Sequence, residues 1–191
     1  MTKKNDNVNY VGMSPEDPLT SVLRVFAQYG FRKSSMRDLA DAMGISRQAL
    51  YNRYGSKEAV FAWATKTLIE QSAAATLAAL EDDSLAVPDR LMAAYEIWAG
   101  QHVDLLRSSP HAAEILMMVH GEAAALAEQA ERYINAKVAK LLTAQSSDIS
   151  DTQAVDRAHT LYWASKGLLY TAENHAAYRD GLSRTVAAIT T

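Results

Sequence analysis

Cysteine is absent from the 191 residues, which excludes disulfides and thiolate metal ligands and fits a reducing compartment. Proline occurs 4 times and glycine 8 times, too few for a loop-rich chain and enough to punctuate helices. No apolar run approaches the ~20 residues that a membrane-spanning helix needs. The N-terminal "MTKKNDNVNYVGMSPEDP" has no apolar core of the kind a secretory signal requires, so a cytoplasmic location is expected. Alternation of period two over strand length is missing, as is any internal repeat. What remains is 49% hydrophobic and 21% charged, with alanine dominating long stretches, the composition of a helix-rich chain. The length allows one large domain or two small ones.

Signatures of catalysis are missing as well. There is no Gly-x-Ser-x-Gly, no His-Glu-x-x-His, no P-loop and no helix bearing paired carboxylates, so no enzyme is expected. His102, His120 and His159 have no partner at a ligand spacing such as i, i+4, so neither metal nor cofactor is expected. Net charge is −3, but residues 1–63 hold nine Lys/Arg against six Asp/Glu, and residues 64–191 hold ten against sixteen. A basic part on an acidic chain points to a polyanion as partner, although a solvated surface produces small asymmetries too.

Periodicity and capping residues divide the chain into about nine helices. Residues 1–14 are polar and aperiodic, a flexible tail. A first helix starts at Ser14 or Asp17, presents Leu19, Val22, Leu23 and Phe26 as one apolar stripe, and ends at Gly30. "SSMRDLADAM" makes a short second helix capped by Ser34 or Ser35, with Asp38 near the capping-box position and Met36, Leu39, Ala40 and Met43 inward. Gly44 stops it, Ile45 packs into the corner, and a third short helix runs from Ser46 to about Tyr54. Gly55 and Ser56 separate that from a long helix reaching about Leu80. Two short helices joined by a tight turn at glycine are the helix-turn-helix arrangement. Beyond the linker "EDDSLAVPDR" come helices over 88–108, 111–120, 122–144, 152–174 and 176–190.

The second helix of a helix-turn-helix enters the major groove, where base edges carry a distinguishable donor and acceptor pattern. In "SRQALYNRY" the inward residues are Ala49, Leu50 and Tyr54. Arg47, Gln48 and Asn52 face out as base readers, and Ser46 at the helix N-terminus suits a phosphate. No acidic residue occurs from 42 to 57, whereas an ordinary exposed helix mixes both signs.

Residues 19–63, above all "ALYNRYGSKEAVF", resemble the DNA-binding domain of TetR-family transcriptional regulators. The matching positions are Ala49, Leu50, Tyr51, Tyr54, Lys57, Glu58, Val60 and Phe61, with Tyr54 where phenylalanine is commonest. The resemblance implies an all-α chain with a helix-turn-helix domain over 15–63. A helical ligand-binding and dimerisation domain follows over 64–191. It implies phosphate contacts by Ser35, Tyr51 and Lys57, with Arg37 and Arg53 as further phosphate contacts and Gly30, Leu39, Ala40, Gly44 and Leu50 as structural positions. The implied partners are an operator duplex, a second copy of the chain and a small effector. Repression is the family's usual behaviour and activation the alternative. A small helical enzyme, or an interaction protein using the helix-turn-helix as scaffold, are the competing classes.

The helix 152–174 is apolar on two sides, so one side meets its own core and the other meets either a second subunit or the centre of a monomer. Ala158, Leu161, Ser165, Leu168 and Ala172, with Leu182, Val186 and Ile189 of the last helix, are the expected intersubunit face. Tyr95, Trp98, His102, Met117, Met118, His120, Tyr162, Trp163 and Tyr170 either line a pocket for an apolar or aromatic effector or are plain core.

Overall fold

The computed structural model describes residues 17–146 and 148–191; the expected tail over 1–14 and the cap Ser14 lie outside the described residues. Among them the chain forms α1 (Pro18–Lys33), α2 (Met36–Ala42), α3 (Arg47–Tyr54), α4 (Lys57–Glu81) and α5 (Val87–Trp98). After a 3-10 turn (Gly100–His102) follow α6 (Val103–Ser108), α7 (Ala112–Met117), α8 (Glu122–Gln145), α9 (Asp151–Thr171) and α10 (His175–Thr190). The class is all-α, as expected from the sequence, and no strand occurs among the described residues.

Short polar side chains start most of these helices by satisfying amides that the first turn leaves open. Asp17 accepts from the Thr20 amide, and Ser35 exchanges bonds with Asp38 in a capping box that holds the Asp38 carboxyl below its ordinary range. Ser46, Ser56 and Asn174 cap α3, α4 and α10, and Ser150 with Gln153 forms a second capping box at α9. Gly30, at φ 76°, breaks α1 before its last turn, and Gly44, at φ 66°, makes the turn between α2 and α3. A side chain at either position would sit in the left-handed region that glycine alone enters cheaply.

The single helix expected over 88–108 is two. Ala99 leaves the helical region at φ −134°, and a Cβ on the following Gly100 would lie 2.6 Å from the Glu96 carboxylate and 2.7 Å from the Tyr178 ring. The break lets α10 approach α5, where the Tyr178 hydroxyl donates to the Tyr95 carbonyl across the core at 2.9 Å.

Apolar side chains gather into two clusters. One holds Leu19, Val22, Phe26, Leu39, Leu50, Val60 and Phe61 from α1–α4 and receives Ile115 and Met118 from the α7 region. Phe26, Phe31 and Phe61 meet there with ring centroids 5.3–5.7 Å apart, and each fully buried large apolar residue contributes about 1.5–3 kcal/mol. The other cluster runs from Leu80 through α5, α8, α9 and α10. α4 serves both, packing its first turns under α1 and α3 and its remainder against α5 and α8.

Candidate DNA-binding surface and ligand cavity

Leu50 is fully buried and pins α3 to the first cluster, while the Tyr54 ring packs at a tilt against Trp63 of α4, with centroids 5.2 Å apart. With those anchors, the rest of α3 is turned outward. Arg47, Gln48, Asn52 and Arg53 are exposed and Tyr51 is 37% exposed. Ala49, expected inward, is exposed too, because the eight-residue helix gives only Leu50 to the core. Two pairs one turn apart order this face. Gln48 Nε2 donates to Asn52 Oδ1 at 2.8 Å, and the Arg47 guanidinium lies 5.3 Å from the centre of the Tyr51 ring. The Ser46 hydroxyl accepts from the Ala49 amide, so the side chain is fixed at the helix N-terminus.

The flanking residues differ in freedom. Ser35 is exposed at the start of α2 with its hydroxyl on Asp38, Arg37 is exposed and 3.8 Å from Asp41, and Arg53 leans over Tyr54 at 5.2 Å. Lys57 is different. Its ammonium donates to the carbonyls of Phe31 at 2.7 Å, Ser34 at 2.9 Å and Arg32 at 3.4 Å, and lies 4.5 Å from the centre of the Phe31 ring. An ammonium has three donors, and the end of α1 takes all of them. These bonds tie α4 to α1, and the phosphate contact expected of Lys57 would have to take over one of them.

The expected pocket residues separate into three groups. Trp98, His102, Tyr162 and Tyr170 come together around a cavity of about 300 Å³ between α4, α5, α7, α8 and α9. Met118 and His120 belong to a different cavity of about 500 Å³ beside Phe31 and Trp63. Tyr95 is fully buried in the second cluster, and Met117 and Trp163 are 87% and 59% exposed. Residues missed from sequence complete the first cavity, namely Leu68, Ile69 and Ser72 of α4, Leu116, Val119 and Lys166. Burial lowers the His102 imidazole to a pKa of about 4, so it is neutral at physiological pH.

The expected intersubunit face is a correction. Ala158, Leu161, Ser165, Ala172, Leu182, Val186 and Ile189 are buried in the protomer's own core, and Leu168 is half-buried against Gly181. Ser165 bonds the Tyr178 hydroxyl at 2.9 Å. These residues face inward because α9 and α10 pack on each other and on α5 and α8. The side left open carries Thr160, Gly167 and Thr171 with half-buried Ala164, and a Cβ on Gly167 would meet nothing within 4 Å.

The first three helices, with a capped recognition helix held by one buried leucine, form a helix-turn-helix domain of the DNA-binding class. Residues 19–63 match the family model of the bacterial regulatory proteins, tetR family. The chain is 40% identical over 63 residues to the uncharacterized HTH-type transcriptional regulator YezE of Bacillus subtilis, covering 33% of this chain and 32% of that one. It is 34% identical over 76 residues to the HTH-type transcriptional repressor Rv1474c of Mycobacterium tuberculosis, covering 38% and 41%. These matches span well under half the length of either relative. The fold matches the crystal structure of a transcriptional regulator from Rhodococcus sp. RHA1 with a TM-score of 0.62 at 23% identity, covering 93% and 96% of the two chains. Over residues 19–63 the chain is thus similar to the tetR family of bacterial regulatory proteins, and its fold is similar to that of solved transcriptional regulators.

Proposed function

We propose that this protein is a sequence-specific DNA-binding transcriptional regulator, a homodimeric repressor that a small apolar or aromatic effector releases from an inverted-repeat operator. The observation that carries the reading is the α3 face, where Arg47, Gln48, Tyr51, Asn52 and Arg53 point outward with no acidic residue between 42 and 57. Arg47, Gln48 and Asn52 read base edges; Ser35, Arg37, Ser46, Tyr51 and Arg53 hold phosphates. The name of the mycobacterial relative supports repression.

Two copies pair through the open side of α9 and α10, where small residues let helices approach closely, giving a four-helix bundle. The pair carries two recognition helices for half-sites ~34–36 Å apart. Two routes join the cavity to the first three helices. α4 lines the cavity with Leu68, Ile69 and Ser72 and begins at the Lys57 tie. The segment before α7 is fastened to α1 by the Ser109 hydroxyl on the Ala27 carbonyl, while Leu116 and Val119 beyond it line the cavity. An effector that prefers one arrangement of these helices shifts the population toward it, and DNA affinity follows. No helix among the described residues is long and apolar enough to cross a membrane, and the regulator acts where the chromosome is, in the cytoplasm.

Selection of bound duplexes from a random pool by the full-length protein, near physiological salt, tests this. An enriched inverted repeat is the expected outcome. Recovery of sequences no different from the starting pool refutes sequence-specific regulation.

A further inference from the structure

We infer that the cavity of about 300 Å³ takes a small monocarboxylic acid, aromatic or branched, whose carboxylate pairs with Lys166 while its apolar body fills the space walled by Leu68, Ile69, Trp98 and Val119. The inference rests on reading that cavity as the effector site and adds the chemistry of the ligand.

Charge is the first argument. Among the described residues no Asp or Glu lines the cavity, and Lys166 is its one cationic wall residue. Among the described residues no carboxylate lies within ion-pair distance of Lys166. The larger cavity beside Phe31 shows the contrast, because its Lys66 is answered by Glu122 at 3.6 Å. An unanswered ammonium in a mostly apolar, partly enclosed wall favours an anion as occupant.

Orientation is the second. The Lys166 ammonium lies 5.7 Å from the centre of the ring of Tyr162, which lines the cavity, and 5.0 Å from that of exposed Trp163 outside it, so two rings restrain the charge at the cavity's edge. Glu131 approaches the Tyr162 hydroxyl from α8 but does not line the cavity.

The remaining polar groups set the number of charges. His102 and Ser72 line the cavity, and among the described residues neither side chain has a hydrogen-bond partner. His102 is a neutral imidazole there, so it offers a hydrogen bond without a second positive charge. One cation with neutral donors from His102, Ser72 and Tyr170 suits one carboxylate. A volume at the low end of the ~300–1,000 Å³ typical of ligand pockets holds a single ring or a short branched chain and excludes a nucleotide or a coenzyme thioester.

The test titrates the full-length protein by calorimetry with benzoate, phenylacetate and isovalerate, each beside its amide of the same shape. At least one acid is expected to bind about 10-fold or more tightly than its amide, as a charge-assisted bond implies. Lys166→Met should weaken that acid to the level of the amide and leave the amide unchanged, and Lys166→Arg should keep the preference. Amides binding as tightly as acids overturn the inference, as does an acid preference that survives in Lys166→Met. Binding of none of the six probes up to about 10 mM overturns it too. The effector reading fails separately: an acid that binds with its charge preference intact but does not alter affinity for the selected operator refutes release, not the carboxylate site.

Discussion

Replacing Lys57 with methionine separates two roles that this residue could play at the edge of a DNA-binding surface. The structure gives its ammonium two good acceptors, the carbonyls of Phe31 at 2.7 Å and Ser34 at 2.9 Å, a longer one at Arg32, and the face of the Phe31 ring. Methionine keeps the stem and its contact with the ring while removing all three donors. A hydrogen bond from a charged group contributes about 1.5 kcal/mol at the low end, which applies here because the site is only half-buried. Two good bonds therefore amount to about 3 kcal/mol. In a chain of this length that lowers Tm by roughly 6–12 °C, since each kcal/mol is worth about 2–4 °C.

The second readout is the salt dependence of operator binding between about 50 and 200 mM, where each phosphate contact adds about 0.9 to the slope of log K against log salt. If its donors stay on α1 when DNA binds, Lys57 neutralises no phosphate. The variant should melt earlier and bind all DNA more weakly, with the salt slope unchanged. A slope shallower by about 0.9 with an unaltered Tm would refute the reasoning and return Lys57 to the phosphate contacts.

Arg47→Ala should abolish the preference for the selected operator and leave affinity for random DNA within a few-fold, because base readers contribute about 1–3 kcal/mol each of discrimination. Equal losses on both duplexes, measured by fluorescence anisotropy, would move Arg47 to the phosphates. Tyr51→Phe should weaken binding to both. Stability should fall as pH drops from about 6.5, the ordinary value for histidine, to about 4, because the unfolded chain binds a proton there that buried His102 refuses. His102→Gln should flatten that decline by up to roughly 3 kcal/mol in urea titrations, and an unaltered pH profile would show that the imidazole titrates normally. Gly167→Arg should give a folded monomer by sedimentation, since a Cβ there meets nothing within 4 Å inside the protomer. A dimer that persists would place the interface elsewhere.

The helix-turn-helix was legible from sequence because its determinants are local. Ser35 with Asp38, Gly44, Ser46, Gly55 and Ser56 each act within four residues of themselves, and their order alone spells two short helices and a turn. The Lys57 tie was not, since it reaches back 23 to 26 residues to carbonyls that every residue possesses. The intersubunit face was misassigned for a different reason. Periodicity shows that α9 has two apolar sides without saying which one its own α5, α8 and α10 will cover, and bulky Leu161 and Leu182 marked the covered one. Thr160, Ala164, Gly167 and Thr171 on the open side carry little hydrophobic signal. Trp98, His102, Tyr162 and Tyr170 were picked as aromatic candidates, yet Met117 and Trp163, equally good on composition, point away. Only the fold distinguishes them.

α4 is 25 residues long, a rod of about 37 Å with the cavity touching its middle and Lys57 at its tip. Ile69 to Lys57 is about 18 Å along the axis, so a tilt of about 5° at the cavity carries the tip through about 1.6 Å. In a pair related by a two-fold axis the tips move in opposite senses, and the spacing between them changes by about 3 Å. A hydrogen bond to a base edge tolerates only about half an ångström of stretch. On the proposed function, leverage of this kind would let a ligand the size of one aromatic ring dislodge two recognition helices at once without unfolding either domain.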